Sequence, residues 1–246
     1  MRAILYKQLG KHLLFSVGVY TALFLVLYTI EWLVPSLSTK LLQWHDPAFI
    51  VGIPASVVGT AYVLTIRNPM NYTGFIAGII MAILLAWQFA LMQQWSLTCL
   101  QLFIFIPFMI MSIVRWRKPV VSDDTTEDAL ETTLLETKYQ LLNIFLLILL
   151  TALDAGFITH FKEAIASPDL LSNIMSGIMI GSSILANFWM IYKKLDAWIW
   201  WIVYNLAGIV FYILVANIFS LILFLVFLVV NTRAAITWYK LYKLQQ

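Results

Sequence analysis

Eight apolar runs of about twenty residues divide this chain and leave it little freedom of fold class. They lie near 13–34, 48–66, 72–92, 97–114, 139–158, 171–192, 197–215 and 217–238. A helix of that length matches the hydrocarbon core of a bilayer, where a chain must satisfy its own backbone. The chain has 246 residues, of which 62% are hydrophobic and 11% charged, with mean hydropathy +0.90. A water-soluble fold of this size has no means of covering so much apolar surface. The expectation is an all-α polytopic membrane protein of about eight transmembrane helices. The first run is too long for a signal-peptide core and is followed by Pro35-Ser36-Leu37-Ser38-Thr39-Lys40, so it reads as a retained helix.

Orientation follows from the basic residues. With the N-terminus inside, the inner segments carry Arg2, Lys7, Lys11, Arg67, Arg115, Arg117, Lys118, Lys138, Lys193, Lys194, Arg233, Lys240 and Lys243. The outer segments carry only Lys40 and Lys162. An even number of spans with both termini cytoplasmic preserves that bias. Trp32, Trp44, Trp95, Trp116 and Trp238 fall near the ends of spans, where an interfacial belt places them. The net charge of +3 gives no sign of a nucleic-acid partner. The single Cys99 offers neither a disulfide nor a zinc site, and His12, His45 and His160 match no metal spacing. No cofactor or metal is expected.

One connection is strongly polar. Arg115 to Lys138 holds Asp123, Asp124, Glu127, Asp128, Glu131 and Glu136, without His or Cys among them. It reads as a solvated linker in which a helix opens at Ser122 or Thr125. The linker divides the chain into an added N-terminal helix (1–40), a three-helix bundle (48–117), the linker with a single linking span (118–165), and a second three-helix bundle (171–240). One linking span between two three-span groups sets the bundles parallel, related by an axis along the membrane normal. Transporters use this plan, with the ligand near the midplane between the halves.

The most informative stretch is Lys194–Val215. It places Trp198, Trp201, Asn205 and Tyr212 at spacings of three, four and seven, one stripe on a helix. Two indoles, a carboxamide and a phenol in register suit a flat aromatic ligand with polar edges. Lipid gains nothing from the carboxamide, so the stripe faces protein or a cavity. In the first bundle Gln101, Phe105, Phe108 and Ser112 share a face, and Trp87 and Gln88 are further candidates for the cavity wall. Asn187 is a further candidate of the same kind, while Asn143 reads as a bond between helices. Glu31 and Asp154 lie toward outer span ends and Asp196 toward an inner one, so no acid sits at mid-membrane to couple transport to an ion. Gly74/Gly78 and Gly177/Gly181 are small-x-x-x-small pairs for close helix approach. Pro54 and Pro107 lie inside spans and are candidate kinks.

The run L-D-A-W-I-W-W-I-V-Y-N, with Tyr212 beyond it, resembles the W-x-x-W-x-x-x-N helix of the PnuC-type vitamin transporters. Leu100–Arg117, L-Q-L-F-I-F-I-P-F-M-I-M-S-I-V-R-W-R, resembles that family's Gln-containing helix, and the likeness extends over about 48–240. The family is similar in plan to the SWEET sugar transporters. The resemblance implies uniport of a vitamin precursor, nicotinamide riboside first and thiamine or riboflavin next, retained by phosphorylation through a cytoplasmic kinase. It implies a bacterial inner-membrane protein and a homotrimer. It also implies stacking by Trp201, a gate or second wall at Trp198, hydrogen bonding by Asn205 and Gln101, walls at Phe105 and Gln88, and outer closure by Tyr212. This chain departs from the family in 48–66, which offers Ser56, Thr60 and Tyr62 but no central asparagine. Three other readings stay open: SWEET-like sugar transport, a lipid-modifying membrane enzyme, and a sensor or assembly factor acting through the acidic linker. The enzyme reading lacks any catalytic cluster of His, Asp or Cys.

Overall fold

The computed structural model describes residues 2–33, 46–117, 133–160, 170–214 and 218–245. The His45 and Trp44 positions, most of the acidic linker and the junction at 215–217 lie outside them. Among the described residues, eight helices are long and apolar enough to cross a membrane. They are α1 (Arg2–Leu33), α2 (Pro47–Ile66), α3 (Gly74–Leu91), α4 (Trp95–Trp116), α5 (Thr137–His160), α6 (Leu170–Ile191), α7 (Ala197–Leu214) and α8 (Ile218–Gln245). Helix α1 begins well before its apolar run. Its first turns carry Lys7 and Lys11 outward while Leu5 is buried, an amphipathic opening that a search for apolar runs misses. The loop after α2 holds it, since Asn71 Nδ2 donates to Gln8 Oε1 at 3.1 Å.

Local chemistry sets several boundaries. Asp46 caps α2, its side chain accepting from Ala48 N at 2.9 Å, with Pro47 in the first turn where its missing N–H costs nothing. Helices α3 and α6 end in matching turns. Gln93 and Lys193 take left-handed φ of 58° and 54°. The next amide in each case, Gln94 N or Lys194 N, donates to the carbonyl of Phe89 (2.8 Å) or Trp189 (3.1 Å), a Schellman closure. Asp196 fastens the end of the linker: Oδ2 accepts from Leu135 N at 2.7 Å and Oδ1 from Gln140 Nε2 at 3.3 Å.

The two bundles are α2–α3–α4 and α6–α7–α8, and α5 links them by packing on α6. Between bundles, α4 packs on α6 and α2 on α8. Each contact joins the third helix of one bundle to the first of the other, as a two-fold axis along the helices requires. The same offset separates Pro47 from Leu170, Gly74 from Ala197, Leu91 from Leu214 and Trp95 from Ile218. The internal repeat is therefore plainer in helix boundaries than in residue identities. Helix α1 packs on α2, outside this symmetric pair.

The glycine pairs mark close approaches. A Cβ on Gly78 would lie 2.7 Å from Met109 Sδ, and one on Gly177 would lie 2.9 Å from both Cα and O of Thr151 in α5. A methionine tip yields; a backbone does not. Gly177→Ala is therefore expected to destabilise the protein by about 1–3 kcal/mol through overpacking. Gly156→Ala, where nothing lies within 4 Å, should stabilise by about 0.5–1 kcal/mol through helix propensity. Thermal unfolding of the two variants in detergent checks the difference in sign.

Candidate functional site

Helix α4 is not a uniform α-helix. Leu100–Phe105 form a π-helical turn, and Ile106 N donates to Gln101 O. Pro107 explains the interruption: it has no N–H, and its ring crowds the carbonyl four residues earlier. The extra residue in the turn shifts the helix face. Gln101 and Phe105 are buried, as the sequence suggested, but the next buried position is Met109 and not Phe108. Phe108 instead meets Phe188 of α6, with ring centres 6.2 Å apart.

Phe105 thereby reaches the interface between the bundles, where its ring stands edge-on to Trp201 at 6.2 Å. Around these two rings a cavity of about 30 Å³ is lined by Tyr62 and Val63 of α2, Met81 and Leu85 of α3, Trp201, Tyr204 and Asn205 of α7, and Phe227 and Asn231 of α8. That volume holds little more than water, so the walls have closed on one another. Trp201 and Tyr204 stand perpendicular at 5.5 Å. Asn205 Nδ2 donates to Trp201 O at 2.8 Å. Only the amide nitrogen can make that bond, so Oδ1 is left toward the cavity. The Asn205 Oδ1, Asn231 Oδ1 and Tyr62 hydroxyl are buried without a hydrogen-bond partner. Neither Lys, Arg, Asp nor Glu lines the cavity.

Three of the residues read from the sequence meet here: Trp201, Asn205 and Phe105. Gln101 lies one turn along α4, 1% exposed, with Oε1 unpaired, but it does not line the cavity. Gln88 lies over Gly52, where an added Cβ would come within 2.5 Å of its Nε2. It packs α3 on α2 and is off the wall. Trp87 is exposed on the outer surface. Tyr212 packs on Phe211 at 5.1 Å and on Phe224 at 5.0 Å, and Phe224 in turn meets Tyr204 at 5.3 Å, so Tyr212 backs the wall at one remove. Ser56 and Thr60 are engaged elsewhere, with Gly52 O and the Tyr20 hydroxyl. Asn143 Oδ1 accepts from Trp189 Nε1, a bond between helices. Asp154 sits against Ser176 between α5 and α6, away from the cavity. Sequence reasoning missed Asn231, a carboxamide inside a long apolar helix. Its signal was that setting alone.

Trp198 belongs to a different structure, a plug of rings at the end of the bundles that carries Arg67, Arg115, Arg117 and Lys193. Phase and symmetry organise it. Phe75 stands edge-on to Trp116 at 4.7 Å, and Trp198, at the equivalent place in the second bundle, stands edge-on to Trp238 at 5.5 Å. Trp116 and Trp238 meet at 5.8 Å between them. Trp116 Nε1 donates to Met190 O at 3.2 Å, and Trp238 Nε1 donates to Arg67 O at 2.9 Å. Met190 and Arg67 are again equivalent positions. Each third helix thus closes on a carbonyl at the end of the opposite first helix; Met190 O also accepts from Lys193 N at 3.1 Å, so there the indole takes the second lone pair.

Lys193 caps this plug, its Nζ 4.9 Å from the Trp116 ring. Burial, and secondarily the charge of Arg115, bring its pKa down from 10.5 to about 8. The unfolded chain then binds more protons between about pH 8 and 10.5, so this residue's contribution to stability rises with pH across that window and is unfavourable below it. The stability difference between the protein and its Lys193→Met variant should therefore climb from pH 8 to pH 10 in paired thermal melts. A flat difference would remove the burial argument.

Comparison with known proteins now bears on the geometry. A solved structure described as the crystal structure of the vitamin B3 transporter PnuC superposes with a TM-score of 0.63 at 18% identity, covering 96% of this chain and 98% of that one. At that identity the likeness speaks to fold. No curated protein matches the chain. The family model described as nicotinamide mononucleotide transporter matches residues 49–240, both bundles and the linking helix. The chain belongs to the nicotinamide mononucleotide transporter family.

Proposed function

We propose that this membrane transporter carries an unphosphorylated aromatic vitamin precursor, with nicotinamide riboside ahead of thiamine and riboflavin. The observation behind the reading is the cavity itself: aromatic walls, two buried carboxamide oxygens awaiting donors, and no cation. A phosphate entering it would lose water and meet no Lys or Arg, a cost of several kcal/mol in a low-dielectric site. Ribose hydroxyls and an amide NH₂ supply the donors that Asn205 Oδ1 and Asn231 Oδ1 lack. The fixed charge of a pyridinium or thiazolium ring meets the faces of Trp201 and Tyr204. Riboflavin shares the hydroxyls and lacks the charge. A sugar fits the carboxamides and leaves the rings without purpose.

Transport is read as facilitated diffusion; among the described residues, the cavity lining carries no Asp or Glu that would bind a coupling ion. A cytoplasmic kinase acting on the product retains it. The basic end of the bundles faces the cytoplasm, in keeping with the bias of Lys and Arg, and with eight spans both termini lie on that side. The setting is a bacterial inner membrane and the assembly a homotrimer, both carried over from the resemblance.

Titration of the purified protein with nicotinamide riboside, its mononucleotide, thiamine and riboflavin, followed by calorimetry, tests the reading. Nicotinamide riboside is expected to bind and the mononucleotide to bind at least tenfold more weakly. Asn205→Leu and Asn231→Leu should each weaken riboside binding about five- to hundredfold, the range for a lost buried hydrogen bond. Trp201→Ala should abolish it. Tighter binding of the mononucleotide would overturn the substrate assignment, and full affinity in Asn231→Leu would move the site.

A further inference from the structure

A second concavity opens on the outside of the bundles. Phe15 and Val19 of α1, Leu64 of α2, and Ile222, Leu225 and Val229 of α8 line a groove of about 520 Å³. One helical turn beyond Leu64 and Val229, at the basic end, Arg67 and Arg233 complete the lining. Its body is apolar and its head carries two positive charges.

These two arginines differ from their neighbours. Arg115 lies over the Tyr192 ring at 4.3 Å, Arg117 over Tyr72 at 5.6 Å and Lys193 over Trp116 at 4.9 Å. Among the described residues, Arg67 and Arg233 have neither an ion pair nor a ring, and both are exposed. His12 of α1, hydrogen-bonded to Thr65 at 2.9 Å, lies near enough to Arg67 to feel its charge but does not line the groove. The groove's length is also informative. From Arg233 to Ile222 the helix rises about 16 Å at ~1.5 Å per residue, close to one leaflet's share, about 15 Å, of the hydrocarbon core.

We infer that this groove binds an anionic phospholipid, with its phosphate between Arg67 and Arg233 and an acyl chain along α1 and α8. Charge selects the headgroup, and the leaflet-length apolar wall selects a lipid over a free anion. The phosphate then bridges α2 and α8, the two helices already joined by the Trp238–Arg67 bond. The lipid fastens from the membrane side the joint that the indole fastens from within.

The test needs no transport substrate. Full-length protein is delipidated, equilibrated with mixed micelles of phosphatidylglycerol and phosphatidylcholine, and read by native mass spectrometry. The expected result is preferential retention of phosphatidylglycerol, with the preference falling about ten- to thirtyfold in Arg67→Gln/Arg233→Gln, at roughly 1 kcal/mol per basic residue. Leu225→Trp fills the groove, keeps both charges and should lose the bound lipid; it carries the test alone if the double variant fails to fold. Equal retention of the two lipids by the unaltered protein overturns the proposal, as does unchanged preference in the folded double variant. So does protection from unfolding by inorganic phosphate equal to that by the lipid, which would mark a plain anion site. Lipid-excluding disulfide capture between two copies of Leu225→Cys would assign the groove to a second copy and likewise overturn it.

Discussion

The bundles are held at one end by a pair of bonds that mirror each other. Trp116 gives its indole N–H to Met190 O, and Trp238 gives its own to Arg67 O. In a membrane, lipid is as apolar as leucine, so burying apolar surface does not drive two bundles together as it does in water. Directional bonds and close packing must do it. An indole suits the task because it combines a large apolar body with one donor. A carbonyl at a helix end suits it because it has a lone pair to spare: Met190 O takes the indole beside its turn bond from Lys193 N. The remaining rings of the plug, Phe75 and Trp198, pack edge-on against these two indoles and keep water from competing for the bonds. A single added residue in α4, at the π-helical turn, brings Trp116 into register with Trp238.

The repeat builds the frame, and its departures build the site. Where the second bundle has Trp201, the first has Gly78; where the second has Asn205, the first has Ala82. Gly78 has no side chain to project, so Met109 and the Tyr62 ring come within about 3.1 Å of where its Cβ would lie. The second half supplies both carboxamides with Trp201, Tyr204 and Phe227, while the first supplies Tyr62, Phe105 and aliphatic lining. A strictly symmetric pair would offer identical groups to both faces of the ligand. The proposed vitamin precursor has no such symmetry, in keeping with the unequal lining.

What could be read from the sequence follows from how far each signal depends on distant contacts. Eight spans rest on length and composition, and the described residues carry eight such helices; of the four-residue stripe, Trp201 and Asn205 line the cavity while Trp198 and Tyr212 do not. On α4 only Phe108 was misplaced: after the π-helical turn Met109 takes the buried position, while Ser112 is buried as its spacing suggested. Gln88 looked available as a polar residue in an apolar span. Only the fold reveals that Gly52 lies beneath it. Asn205 lies in α7 and Asn231 in α8, 26 positions apart in the sequence, so no local pattern links the two. Their meeting depends on the packing of α8 against α7 and α2.

The closed cavity and its unpaired oxygens belong to one argument. Each buried acceptor without a donor costs about 1–3 kcal/mol, and Asn205 Oδ1 and Asn231 Oδ1 both lie in that state beside a space too small for more than water. A closed carrier with an empty site is thus penalised, while a ligand bringing donors removes the penalty as the walls shut around it. A ligand shifts such an equilibrium only by its differential affinity for the two states, and here that difference resides in two carboxamide oxygens. A substrate lacking donors at both places would leave the penalty standing and would gain little from closure. On the proposed reading, selectivity and closure are then the same interaction.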